Sequence, residues 1–453
     1  MLLGSVLNPV NSTIIAVTLV PIGDALGAPP SQTAWLVSAL YLATALGQPV
    51  VGRLIDIFGP RRLFLVSTSL VGVAGVVGTL APNLGVLIAS RVLLGFGTCA
   101  GYPAAMALVR SEAKRTGQDS PGGVLTALAV ANQTIAVIGP LLGGLLIALG
   151  GWRATFALNV PLAVVAVLLG LLRLPKEAAG PGESLRRGHL TGQLDVLGMA
   201  LFAAMLVSLL LFLMNLHLRD WYLLVIAAVA SAAFAVRELR APTPFIDLRV
   251  LGGNTPLLVT YGRALVAYVV AYSFLYGFTQ WTEEGVGLSP FHAGLVQIPM
   301  FLVAIGVSLV SGRRKGVRGK LLVGALGQIA ACLLMLTLTG DSPGWTLILV
   351  ALIFGVPQGL NNLALQNSVY FQADPERTAS SAGLLRTFAY VGSMVASATA
   401  AVSFGQHADT GGMHQLAWIM LGAGVLYLLL TVFDRTLGRA TEEDSPTQTP
   451  RAA

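Results

Sequence analysis

Apolar residues in this chain gather into runs of about 20, each long enough to cross the hydrocarbon of a bilayer as a helix. The pattern predicts fourteen spans, near residues 4–23, 32–51, 63–81, 86–109, 123–148, 153–172, 194–215, 220–236, 256–280, 290–311, 321–339, 345–369, 379–403 and 414–433. Short turns rich in Gly, Pro, Asp and Ser separate them. The longest polar interruptions are 173–193 and 237–255, and the polar tail 434–453 is expected to be disordered. No Lys or Arg precedes Arg53, so the first run lacks the basic start of a signal peptide and reads as a membrane helix.

Charge gives the runs a direction. Alternate loops hold Arg53, Arg61 and Arg62; Arg110, Lys114 and Arg115; Arg173, Lys176, Arg186 and Arg187; Arg237, Arg240 and Arg249. The same side continues with Arg313, Arg314, Lys315, Arg318 and Lys320, then Arg377, then Arg435, Arg439 and Arg451. Opposite loops carry only Arg153 and Arg219. Basic residues stay cytoplasmic, so an even number of spans with both termini in the cytoplasm is expected.

Composition agrees: 55% of residues are hydrophobic and 10% charged, against roughly 25% charged in soluble domains. The net charge of +7 would suit nucleic acid, but no basic stripe or RNA-binding motif accompanies it, and topology accounts for the charge. Cys99 and Cys332 both lie in apolar runs, and the five histidines are scattered. No disulfide, metal, cofactor or nucleic-acid partner is expected, and nothing resembles a nucleophile with its base. An enzyme or receptor is the least favoured class.

A weak parallel repeat suggests two halves. Gly97 to Gly101 in the fourth run is echoed by Gly355 to Gly359 in the twelfth, and Gly312 to Lys320 is a shortened echo of Gly52 to Arg62 without its carboxylate. The predicted organisation is a six-helix bundle (1–173), a cytoplasmic linker (174–193), two inserted helices (194–236), a second linker (237–255), a second six-helix bundle (256–433) and the tail.

The segment Gly52-Arg53-Leu54-Ile55-Asp56-Ile57-Phe58-Gly59-Pro60-Arg61-Arg62 reads as a tight basic loop between the second and third spans. Asp56 has two readings: a latch on a neighbouring helix end, or a solvated carboxylate whose exposed pairs are worth ~0–1 kcal/mol. With it, Arg91 to Gly97, Gly139-Pro140-Leu141-Leu142-Gly143-Gly144, Trp152 to Pro161 and Gly287 to Leu295 occur in order along nearly the whole chain. Together they resemble the major facilitator superfamily, and within it the fourteen-span drug:proton antiporters. That resemblance implies an all-α integral membrane protein of two six-helix bundles plus two inserted helices. It also implies a gating role for Gly52, Arg53, Asp56, Gly59, Arg61 and Arg62, proton transfer at Arg91, and an exporter's hinge at Gly139, Pro140, Gly143 and Gly144. The sequence departs from the pattern at Asn11, where the family has an aspartate, at Ile135 in place of a glycine, and at Ala389-Tyr390, with Arg386 a turn earlier.

Arg91, Arg263 and Arg386 lie inside runs, at a cost of at least ~2.5–3.5 kcal/mol each, so each either faces the interior or snorkels to an edge. No acidic residue lies deep in a run. The groups left to carry a proton are Glu283 and Glu284 at the outer end of the ninth run and His292 at the start of the tenth. Tyr261, Tyr268, Tyr272 and Tyr276 share one face of the ninth run; Gln358, Asn362 and Gln366 share one of the twelfth, beside Asn361. Asn8 and Asn11 in the first run, Asn132 and Gln133 in the fifth, and Tyr390 complete a candidate cavity with Arg263 and Arg386. The competing reading is inter-helix packing through hydrogen bonds of ~0.6–2 kcal/mol.

The expected function is a bacterial plasma-membrane exporter of amphipathic molecules such as drugs, working by alternating access in exchange for protons. A monomer is expected. A uniporter or uptake carrier on the same fold is the alternative.

Overall fold

The computed structural model describes residues 2–101, 104, 122–174, 195–215, 218–242, 244–246, 248–251, 253–312, 317–372 and 378–434. Regular structure among them is helical throughout. The first run forms α1 (Leu2–Ile14) and α2 (Leu19–Leu26), bent 59° at their junction. There follow α3 (Pro30–Phe58), α4 (Pro60–Thr79), α5 (Leu84–Thr98), α6 (Gly122–Ala157) and α7 (Asn159–Arg173). α6 is broken by Gly150 and by Gly151, whose φ of 69° suits a residue without Cβ. Next come α8 (Val196–Asn215), α9 (Trp221–Arg240) and α10 (Thr255–Ser273), which continues through a π-helical turn, Phe274–Phe278, into α11 (Thr279–Glu284). The chain closes with α12 (Pro290–Gly312), α13 (Val317–Met335), α14 (Gly344–Gln372), α15 (Thr378–Phe404) and α16 (Thr410–Val432).

A helix overlaps each predicted apolar run. Among the described residues, ten helices are long and apolar enough to cross a membrane, or eleven with the bent first pair; Leu84–Thr98 and Asn159–Arg173 are shorter. Two expectations need correction. The Gly52–Arg62 segment is not an open loop: α3 runs on to Phe58, and the turn is Gly59 alone, at φ 86°, before Pro60 restarts the chain as α4. Proline at the first helical position forfeits no hydrogen bond, and glycine absorbs the reversal. The ninth run does not end at 280 either, because the helix continues to Glu284 and carries both glutamates within it.

Helix neighbours recur in two sets. α1 packs on α6 as α10 packs on α15; α3 on α5 as α12 on α14; α4 on α7 as α13 on α16. The sets meet at two crossings, α3 on α15 and α6 on α12, while α8 lies along the first, against both of its helices. Glycines allow the close approaches: a Cβ at Gly95 would meet the Leu40 carbonyl at 2.7 Å, and one at Gly359 would strike the Ala304 carbonyl. Outward-facing positions are apolar, with Leu80, Leu149, Leu172 and Leu309 each at least 70% exposed, a surface that only a lipid environment accommodates.

Candidate functional site

At the α3–α15 crossing, aromatic rings from both sets form one cluster. Tyr268, Tyr272 and Tyr276 stack in succession along α10 and the π-turn, with centroids 6.1 and 5.7 Å apart. Tyr41 of α3 meets Tyr272 edge-on at 5.5 Å and stacks on Tyr390 of α15 at 5.8 Å. Its hydroxyl lies 3.1 Å from that of Tyr276, which donates to the Ser12 carbonyl at 3.2 Å. Gln48 Nε2 donates to the Tyr390 hydroxyl at 3.0 Å. The predicted stripe therefore joins α1 and α3 to the second set of helices. Tyr261 lies apart, stacked on Phe388 and donating to the Ser381 carbonyl, as packing rather than lining.

The α14 amides divide between two environments. Gln366 Nε2 and the Tyr268 hydroxyl donate to Asn362 Oδ1, at 2.8 and 3.4 Å, on the tyrosine side. Asn361 is buried and accepts from Tyr427, away from it. Gln366 and Arg386 are exposed, Gln358 is half-buried, and the Arg386 side chain bonds the Tyr390 hydroxyl. Aromatic faces with amides and a guanidinium, on helices of both sets, can hold a flat or amphipathic molecule by stacking and a few hydrogen bonds.

Beneath α1, Arg91 is 2% exposed and donates from Nε to the Leu36 carbonyl at 2.9 Å and from both terminal nitrogens to the Asn11 carbonyl at 3.4 Å. It is an interior arginine, not a snorkelling one. Asn11 and Asn159 exchange reciprocal amide bonds of 2.7 and 2.9 Å. Beside them is a cavity of about 10 Å³ lined by Asn11, Arg91, Thr155 and Phe156, room for about one water molecule. Asn8 bonds Thr98 nearby. Replacing Asn159 with leucine leaves Asn11 Oδ1 without its donor, while Nδ2 keeps the Leu7 carbonyl, and should lower stability by about 1–2 kcal/mol in detergent melts. The Asn11→Leu/Asn159→Leu pair should recover most of it, and additive losses would contradict the coupling.

Glu283 is buried, with neither carboxylate oxygen hydrogen-bonded, while Glu284 accepts from the Ala408 amide at 2.6 Å. His292 is exposed, and its Nδ1 lies 2.7 Å from the Ser289 hydroxyl. The three proton candidates thus separate into one buried group without partners, one anchoring group and one surface helix-start group. Among the described residues, no group of three or more His, Cys, Asp or Glu could hold a metal ion.

The α6–α12 crossing is built on the glycine motif. A Cβ at Gly144 would meet Phe291 Cα at 2.5 Å, one at Gly294 the Pro140 carbonyl at 2.7 Å, and one at Gly143 Val17 Cγ2 at 2.7 Å. Gly139 sits against Thr13 of α1. The motif is therefore wedged between α1 and α12. Arg263, on α10 with Tyr268, is fully buried, ion-paired with Asp434 just beyond α16, and also donates to the Thr260 hydroxyl. Arg61 donates to the Leu171 carbonyl at 3.1 Å. The side chains of Gly52, Arg53, Asp56, Asn132 and Gln133 lie outside the described set.

Tyr41, Gln48, Ser12 and Asn159 belong to these clusters and were not singled out in sequence. Asn159, an amide between Leu158 and Val160 in an apolar run, carried the clearest signal.

A family model described as Major Facilitator Superfamily matches residues 1–397. An uncharacterized MFS-type transporter, YwoD of Bacillus subtilis (strain 168), is 31% identical over 95% of this chain and 94% of its own length. The lincomycin resistance protein of Streptomyces lincolnensis is 28% identical over 96% of this chain and 91% of its own. Among solved structures, one from a study of substrate recognition in proton dependent oligopeptide transporters superposes with a TM-score of 0.69 at 13% identity, covering 98% of both chains. That likeness concerns the fold.

Proposed function

Because the chain belongs to the Major Facilitator Superfamily, as a multi-pass plasma membrane protein, we propose that it exports amphipathic small molecules in exchange for protons by alternating access. The observation that carries this reading is the tyrosine and amide cluster where the two helix sets cross, on the same continuous helix as the buried, unpartnered Glu283. The resistance named in the Streptomyces relative favours export. The bonded groups of the cluster include Arg386 and no carboxylate, which suits neutral or anionic aromatic amphiphiles over simple cations.

In this reading the chain has fourteen spans with both termini cytoplasmic. Its two six-helix bundles are α1–α7 and α10–α16, with α8–α9 inserted, and it works as a monomer. Asp56 latches the cytoplasmic side of the first bundle. Asp56→Asn should leave folding intact and slow transport several-fold by shifting the inward/outward balance; an unchanged rate at equal expression would refute the latch.

The test uses inverted vesicles carrying the purified protein and an imposed proton gradient. Export predicts that candidate drugs accumulate and dissipate the gradient. Equilibration of the drug across the vesicle membrane without proton flux would favour the uniport alternative, for which the Asn11–Asn159 pairing speaks, since it closes the position where the resemblance places a carboxylate. Neither effect with any amphiphile would remove the reading.

A further inference from the structure

The inserted helices α8 and α9 hold a second buried acidic arrangement, in which one oxygen of each carboxylate lacks a partner. Asp195, just before α8, caps it by accepting from the Gly198 amide at 2.9 Å and also accepts from Arg237 Nε at 3.2 Å, both through Oδ1. Glu238 of α9 is 0% exposed, and its Oε2 accepts from the Ile246 amide at 2.8 Å. The remaining oxygens, Asp195 Oδ2 and Glu238 Oε1, are buried without hydrogen-bond partners. Both crowd the same point beside Gly198, where any side chain would strike them.

Two ionised carboxylate oxygens in such a place repel, and a single proton between them converts repulsion into a hydrogen bond. We propose that Asp195 and Glu238 form a proton-binding site that clips Phe245 and Ile246 onto the inserted hairpin. The proton bridges Oδ2 and Oε1, and on release it passes to solvent. Among the described residues, the charged groups around the pair are Arg237 on α9, the exposed Arg240 on the same helix, and Arg249, which donates to the Leu239 and Ala241 carbonyls; α8 itself contributes no charge.

The clip has a mechanical target. Phe245 packs on Phe202 of α8 at 5.6 Å, Phe202 meets Phe234 of α9 at 5.4 Å, and Ile246 is buried. The same segment runs directly into α10, which carries the tyrosines. Since α8 lies along the α3–α15 crossing, a protonated clip fastens the start of α10 to a hairpin that touches both helix sets. This inference stands whether or not the protein exports drugs.

Hydrogen exchange of the 241–251 segment in the full-length protein in lipid nanodiscs tests it. Corrected for the intrinsic rate, wild-type exchange should rise with pH, by up to about tenfold per unit once the proton leaves. Glu238→Gln should hold the segment protected at every pH, because its amide replaces the bridging proton. Asp195→Asn should do the same from the other side, and serves if Glu238→Gln does not fold. In a Glu283→Gln background, infrared spectra should show a carboxylic-acid carbonyl band that both variants remove. Equal pH dependence in wild type and variants, or no such band, would overturn the proposal.

Discussion

Vesicles carrying Glu283→Gln are expected to lose substrate-driven proton flux by about 100-fold or more, the scale on which removal of an acid–base group is felt. Glutamine keeps the shape of the side chain, so folding and substrate binding should persist. The expectation rests on geometry: Glu283 is the candidate that is buried and has both oxygens free of hydrogen bonds, so a proton can come and go without first breaking a protein contact. Its charged surroundings are the neighbouring carboxylates of Glu284 and Asp24. Glu284 is committed to the Ala408 amide, so Glu284→Gln should change flux by no more than about twofold, as surface substitutions do. Flux in Glu283→Gln within twofold of wild type would remove it as the coupling group. Drug binding, measured separately by tryptophan quenching, distinguishes lost coupling from lost substrate.

Gly144→Ala should force the α6–α12 crossing apart. Its Cβ would press on the Phe291 Cα and amide nitrogen and the Pro290 carbonyl, all backbone atoms that cannot rotate aside. Overpacking of this kind costs about 1–3 kcal/mol, and only in the state where α6 and α12 are pressed together. A population biased by that energy shifts about 5- to 150-fold toward states in which the two helices part. Spin-label distances across the crossing should lengthen, and transport should fall about tenfold or more. Gly306→Ala, on α12 but with nothing within 4 Å of its Cβ, is the control and should leave both unchanged. Unaltered distances in Gly144→Ala would mean the seam does not close in the cycle.

Much of this architecture was legible in the sequence because apolar run length reports directly on bilayer thickness. The tyrosine face of α10 was legible too, since four-residue spacing puts Tyr268, Tyr272 and Tyr276 on one side of a helix. What the sequence hid has specific causes. The helix through Glu283 looked finished at 280 because Gln280, Thr282, Glu283 and Glu284 resemble a loop; buried beside α2 they extend the helix instead. The stretch before Gly59 looked like a turn because it carries a glycine and charges, yet its backbone stays helical to Phe58. Tyr41 shares its run with Trp35 but not its helix face, so it carries no periodicity, and its role appears only when α3 meets α15. Asp195 and Glu238 are far apart in the chain, one at the start of the 194–215 run and the other in the predicted linker 237–255. Only the folding back of α9 on α8 makes them neighbours.

The two crossings between the helix sets differ in what can replace them when they part. Along α3 and α15 the contact includes Gln48 to Tyr390, Ser397 to the Ala34 carbonyl and Ser31 to the Gly405 carbonyl, and every one of those groups can trade its partner for water. Along α6 and α12, glycine lies against backbone, with little there for water to bond. Hydration can therefore advance along one side of the molecule and stall at the other, giving a single wetted lane past the tyrosines. A proton travelling by water would be confined to that lane, and the glycine side would serve as its insulating wall.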